Sequence, residues 1–259
     1  MILQGVFKRR ELLYMITWRE IRIKYKQSVM GMLWAIFMPA TIVLAGIVIR
    51  YGFSLVSHTP VAVSDVATVS VRAVPWAFFV SSLRFATSSL ITNTSLVTKI
   101  YLPREIFPIA AVCSQLVDFA IASVVLAIVL AILGVGVSVE ILWVPVLVAV
   151  LVLFVVGLSL LLSAGGLFFR DVKYLVEVIL TFAIFFTPVF YDAAMLGRWA
   201  SILMLNPLSP LLEGFSNVVV QHVPPPLPWL AYSAAVSLVL LFGAGLTFQR
   251  LEPYFAESV

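Results

Sequence analysis

Arg84 and Asp118 each stand in the middle of a long apolar run, and a charge in that setting has few uses. It can hold an ion, pass a proton, line a polar conduit or pin two helices, because stranding it in hydrocarbon costs about 2.5–3.5 kcal/mol or more. At about 1.5 Å per helical residue, Arg84 lies roughly 21 Å from the end of its run near Thr98, and Asp118 roughly 17 Å from Phe107. The two runs are consecutive and antiparallel, so similar depth predicts an Arg84–Asp118 pair. One lone pair makes no ion or proton relay. A structural pin and a polar lining are the two uses that remain.

Few other residues could do chemistry. His58 and His222 are the only histidines and Cys113 the only cysteine, so neither an intrachain disulfide nor a cysteine-based metal cluster is expected. The chain has no HExxH pair, no GxSxG elbow and no GxxxxGK[ST] phosphate loop. Catalysis by this chain, ATP hydrolysis included, is not expected.

Aromatic residues offer a different chemistry. Phe182, Phe185, Phe186 and Phe190 fall at i, i+3, i+4 and i+8, and so share one face of a continuous helix. Trp76, Phe78, Phe79 and Phe85 cluster in an earlier run. Ring faces suit the C–H faces of sugars without demanding charge. The plainer use is packing or lipid contact, and Trp or Tyr at run ends are interface anchors.

The elements that carry these residues follow from composition. The chain is 63% hydrophobic and 11% charged, with a mean hydropathy of +1.14, far from a soluble domain. Six apolar runs stand out: Met32–Leu55, Val74–Val97, Phe107–Leu133, Ile141–Phe168, Leu175–Tyr191 and Trp229–Phe248. Each is read as a membrane crossing, which takes roughly 20 residues. The fold class is therefore an all-α integral membrane protein with six transmembrane helices. The basic residues, sixteen in all, do not point to nucleic acid, because they gather at alternate run ends. Lys8 to Lys26, Lys99 with Arg104, Arg170 with Lys173, and Arg250 lie on one side; Arg72 and Arg198 lie on the other, with Arg50 near the end of the first run. The positive-inside rule makes the first side cytoplasmic and puts both termini there. The apolar Met1–Phe7 precedes its basic cluster, the reverse of a signal peptide, so no cleavage is expected.

Residues 1–31 read as a cytoplasmic interface region. Its Lys8–Val29 segment mixes Leu12, Leu13, Ile16, Ile21 and Ile23 with Arg19, Arg22 and Lys26, the pattern of an amphipathic helix lying on the membrane surface. Residues 32–259 form the six-helix transmembrane domain. Within it, the external segment 192–228 holds two short apolar runs, Met195–Leu205 and Leu208–Val220, joined by Asn206-Pro207. Each is too short to span and too apolar for a free loop, so re-entrant or interfacial helices are expected.

Several motifs together resemble one family, the membrane permease subunits of polysaccharide ABC exporters. The O-antigen exporter permeases are the nearest in pattern, with teichoic-acid and capsule exporter permeases as relatives. The motifs are Arg22-x-Lys24-Tyr25-Lys26-Gln27-Ser28-x-x-Gly31-x-x-Trp34-x-x-x-x-Pro39 and Lys99-Ile100-Tyr101-Leu102-Pro103-Arg104-Glu105-Ile106-Phe107-Pro108. Arg170-Asp171-Val172, Thr187-Pro188-Val189-Phe190-Tyr191, Asn206-Pro207 and Phe255-Ala256-Glu257 follow in the family's order.

The resemblance implies a homodimer with a pore, driven by separate ATPase subunits that bring the ATP and Mg; this chain would carry no cofactor. It implies an ATPase-coupling face at Arg19, Arg22, Lys24, Tyr25 and Lys26, together with Lys99, Tyr101, Pro103, Arg104 and Glu105. It also implies a gate at 192–228, and a conduit lined by Phe182, Phe185, Phe186, Phe190, Trp76 and Phe79. The cargo would be a polyprenyl-pyrophosphate-linked polysaccharide crossing the cytoplasmic (inner) membrane. Drug or lipid exporters of the same architecture are the near alternative. A membrane enzyme acting on a lipid carrier and a passive channel or scaffold are the distant ones.

Overall fold

The computed structural model describes residues 9–26, 30–31, 33–57, 62–99 and 102–256, and every regular element among them is helical. Helix α1, Arg10–Lys26, opens with Glu11 and closes with Lys24 and Lys26, charges that suit the helix dipole at each end. Then come α2 (Leu33–Ser57), α3 (Val63–Thr92), the short α4 (Thr94–Lys99), α5 (Ile106–Ile132) and α6 (Val144–Phe168). The chain continues through α7 (Val172–Ala183), α8 (Ala200–Met204), α9 (Leu208–Ser216) and α10 (Leu227–Leu251).

Among the described residues, five helices are long and apolar enough to cross a membrane: α2, α3, α5, α6 and α10, the last two each lengthened by a 3-10 turn. The sequence predicts six. The expected fifth, Leu175–Tyr191, is not one helix. Its α-helix stops at Ala183, one 3-10 turn runs to Phe186, and Thr187 is extended (φ −132°, ψ 135°). Pro188 causes the stop: its ring disfavours a helical residue before it, and it has no N–H to give. The Thr187 hydroxyl instead donates back to the Ala183 carbonyl at 2.9 Å. The segment still runs antiparallel to α3. Its Glu177 meets Arg84 and its Tyr191 carbonyl meets Arg72, twelve residues apart on α3, or roughly 18 Å.

Helix α3 is the axis of the bundle. Of its apolar window 78% is buried, against 17% for α2 and α5. Close approach is achieved with glycine. A Cβ on Gly166 of α6 would come within 2.6 Å of the Thr87 carbonyl oxygen on α3, and one on Gly157 within 3.1 Å of the Leu241 backbone on α10. Small residues at such crossings let backbones touch where lipid offers no hydrophobic drive.

One end of the bundle is sealed by a cluster of Ile16, Leu90, Ile106, Phe107, Leu160, Phe248 and Phe255. This is the end that carries the basic loops. Ile16 brings α1 into that cluster, and Lys24 and Tyr25 reach α5 at Asp118, about three turns beyond its start. Helix α1 thus runs along α5 rather than only beside the bundle's rim.

At the far end, residues 192–228 fold back as a 3-10 segment, Ala193–Trp199, then α8 and α9. Gly197 breaks the first (φ 54°, ψ −121°). Asn206 caps the turn into α9 by accepting from the Leu208 N–H, and its Nδ2 donates to the Thr187 hydroxyl at 3.0 Å. The two proline breaks are thereby tied to each other. A π-helical turn, Asn217–Gln221, and a left-handed His222 (φ 57°) end the segment.

Candidate functional site

A cavity of about 680 Å³ opens among α1, α2, α3, α5 and α7. Trp34, Trp76, Phe78, Phe85 and Phe119 supply aromatic wall, and Thr41, Ser81, Ser88, Gln115 and Thr181 supply polar groups. Four charged side chains also line it, Lys24, Arg84, Asp118 and Glu177.

The predicted Arg84–Asp118 pair does not form, although both residues face this one cavity. Arg84 Nε lies 3.0 Å from Glu177 Oε2 on α7. Asp118 accepts instead from Lys24 Nζ and from the Tyr25 hydroxyl of α1, and Lys24 Nζ also donates to Gln115 Oε1 at 3.0 Å. The reason is α1. Depth along two consecutive helices says nothing of a third element packed against one of them, and α1 presents two donors to Asp118. Burial, and then the Asp118 carboxylate, push the Tyr25 phenol well above its usual range, so it remains a donor. Lys24 Nζ also sits 5.2 Å from the Phe85 ring centre, a cation–π distance.

The aromatic residues divide. Trp76 is buried and lines the cavity. Phe79 is buried against Phe154, rings parallel at 6.1 Å, and so belongs to the core. Phe182, Phe185 and Phe186 are exposed on the outside of the protomer, whereas Phe190 is buried and packs toward Gly46 of α2. The four do not share a face, because that spacing presumes a helix continuing past Ala183.

A second polar centre lies toward the far end, and the sequence reading missed it. Arg72, counted there as a loop residue, stands nine residues inside α3 and is 2% exposed. It donates through Nε and Nη2 to Ser216 Oγ (3.0 and 2.9 Å), through Nη1 to the Tyr191 carbonyl (2.8 Å), and through Nη2 to Asp192 Oδ1 (2.8 Å). Arg50 joins from α2, 2.6 Å from Asp65 and 3.3 Å from Asp192. The signal available was Asp65, whose carboxylate accepts from the Ala62 N–H and marks the start of α3 eleven residues before the apolar run at Val74.

Residues 11–220 match the profile of the ABC-2 type transporter family. The chain belongs to that family. It is similar over its whole length to an O-antigen export system permease protein, RfbA, of Myxococcus xanthus: 26% identical over 261 aligned positions, covering 100% of this chain and 99% of the relative. Two proteins of that name from Klebsiella pneumoniae are 26% and 27% identical, each alignment covering 95% of this chain and 94% of the relative. As an ABC-2 permease the chain is a multi-pass membrane subunit of a transporter rather than a catalytic one, and permeases of this family work with an ABC ATPase subunit.

In this ABC-2 permease the basic end is tightly built. Arg104 donates to the Glu252 carbonyl, its backbone N–H meets Glu252 Oε1 at 3.3 Å, and its guanidinium lies 5.8 Å from the Phe255 ring centre. The loop at Pro103-Arg104-Glu105 is thus docked on the turn that follows α10. Glu105 is 5% exposed; burial, and then nearby Glu252, raise its carboxyl above the usual range. Arg19 donates to Asn93 and pairs with Glu20 at 2.7 Å, while Arg22 and Lys26 are exposed. Lys99 closes α4, and Tyr101 lies outside the described residues. Of the ten residues expected to meet a partner ATPase, Lys24 and Tyr25 point into the bundle instead.

Proposed function

We propose that this chain is the transmembrane half of an exporter that moves a polyprenyl-pyrophosphate-linked, O-antigen-like polysaccharide from the inner to the outer leaflet of the cytoplasmic membrane. Two copies form the pore, and a separate ATPase subunit drives it. The end-to-end likeness to three O-antigen export permeases carries the reading. The intramembrane cavity supports it: aromatic walls and hydroxyls accept sugar faces and edges, and two internally neutralised ion pairs add polarity without net charge. Segment 172–191 is the fifth of six passes, completed without a continuous helix because its broken stretch at 187–190 is buried in protein. Both termini then lie on the cytoplasmic side, as the clustering of basic residues requires.

The ATPase docks at the basic end, on the exposed face of α1 and the stiff loop around Pro103. Arg22 and Lys26, exposed on α1, and Arg19 on the same helix attract the pyrophosphate of the lipid carrier. The test is purification of the tagged chain from its native membranes in mild detergent, with mass spectrometry of what accompanies it. A stoichiometric subunit bearing a phosphate loop, and loss of surface glycan when the chain is deleted, is the expected result. An accompanying ATPase with surface glycan intact would make the cargo a drug or lipid instead.

A further inference from the structure

A cavity of about 710 Å³ at the far end is separate from the one inside the bundle, and its walls have a different chemistry. It lies among the end of the fifth pass, α8, α9, the π-helical turn and the first turn of α10. Asp192, Ser201, Glu213, Asn217 and Gln221 line it, and Trp229 forms an aromatic wall.

Each of these polar groups except Ser201 is planar, with two acceptors or an acceptor and a donor side by side. That is the complement of neighbouring hydroxyls on a sugar ring, each of which both gives and takes a hydrogen bond. Arg72, the one cation among the described lining residues, is already committed to Asp192, Ser216 and the Tyr191 carbonyl, so it does not offer a phosphate site. It fixes a carboxylate instead. Asp192 is held on one oxygen by Arg72 and on the other by Arg50. Glu213 Oε1 accepts from the Ala193 N–H at 3.0 Å, and burial raises its carboxyl above the usual range. Two carboxylates in the wall disfavour an anion and can accept from the hydroxyls of a neutral polyol. The backbone points the same way: π-helical turns are rare and occur mostly at functional sites, and this one carries both Asn217 and Gln221.

We propose that this cavity is a saccharide subsite at the exit of the pathway, where neutral sugar units of the exported chain bind through Asp192, Glu213, Asn217 and Gln221 and stack on Trp229. It deepens, and rests on, the polysaccharide reading above. A site of this size lies within the range of small-ligand pockets, about 300–1,000 Å³.

The test uses the whole permease–ATPase complex in lipid nanodiscs. Short neutral oligosaccharides, released by mild acid from the surface glycan of cells carrying this chain, are titrated in and binding is followed by calorimetry. Trp229→Ala and Gln221→Ala should each weaken binding roughly tenfold, while Trp229→Tyr retains most of it. Gln221 is exposed, so its variant reports on contact rather than on folding. Unchanged affinity in both alanine variants, or no binding by the unsubstituted complex, overturns the proposal. Failure of the parent reading has its own signature: deletion of the chain would leave the surface glycan intact.

Discussion

Lys24 of α1 and Asp118 of α5 form an ion pair well inside the length of the bundle, with 22% and 16% of their side chains exposed. It joins the helix that carries the basic surface to a membrane-spanning one, and Tyr25 makes a second bond to the same carboxylate. Motion of α1 caused by a partner is therefore handed to α5 through this carboxylate, together with Gln115 and the packing of Ile16 against Ile106 and Phe107.

Asp118→Asn leaves Lys24 charged without its counter-ion in a site that is mostly shielded. The expected loss is about 1–3 kcal/mol, below the 3–5 kcal/mol of a fully buried pair because some water reaches both groups. Lys24→Met combined with Asp118→Leu should cost less than Asp118→Asn alone. A double-mutant cycle on thermal unfolding in detergent, read beside transport rate, tests both; a perfectly additive cycle would mean that the two residues do not interact.

Arg84 and Glu177 are more open, at 34% and 43%. Glu177→Gln is expected to change stability by less than about 1 kcal/mol, since exposed pairs contribute little. Transport should fall further than stability does, because the pair lines the cavity and ties α7 to α3. Equal, small effects on both would make it a bystander.

The placing of membrane helices was legible because a run of about twenty apolar residues has one common use. The partners of their charges were not. Asp118 pairs with a helix that is far away in sequence, and helix rotation, which sets such contacts, leaves no trace in hydropathy. The broken fifth pass was written in Pro188, yet proline is tolerated inside α2 at Pro39 and α3 at Pro75, so its presence alone did not decide. Arg72 was hidden for a third reason. The first turns of α3, from Val63, are rich in small and polar residues, so an apolar count begins the crossing late and leaves Arg72 outside.

Arg72→Lys keeps the charge but loses the planar fork that serves Ser216, Tyr191 and Asp192 together. It should destabilise the far end by about 2 kcal/mol or more, because a buried carbonyl and hydroxyl lose their donor. Limited proteolysis of the purified protein reads this directly: cleavage within 192–199 should rise in the variant, while the α3–α6 contact at Gly166 keeps the bundle assembled. Equal cleavage in both proteins would mean that Arg50 alone holds Asp192.

Glu105 gives a pH dependence whose sign follows from its burial. Its folded-state carboxyl is raised above the ordinary range, first by burial and then by Glu252, with Arg9 opposing. The folded chain therefore binds that proton more tightly than the unfolded chain does. The stabilising contribution is complete below the ordinary carboxylate value and is lost as pH rises through the raised one. Above that raised value the docked loop carries an ionised carboxylate in a poor site. Glu105→Gln, which imitates the protonated form, should raise the unfolding temperature at pH 7.5 and bring no gain near pH 4. The comparison is the difference between variant and unsubstituted protein at each pH, since other carboxylates titrate in both. A constant difference across the range would mean that the Glu105 side chain is solvated in the working protein, and that the Arg104–Glu252 contact alone fixes the loop.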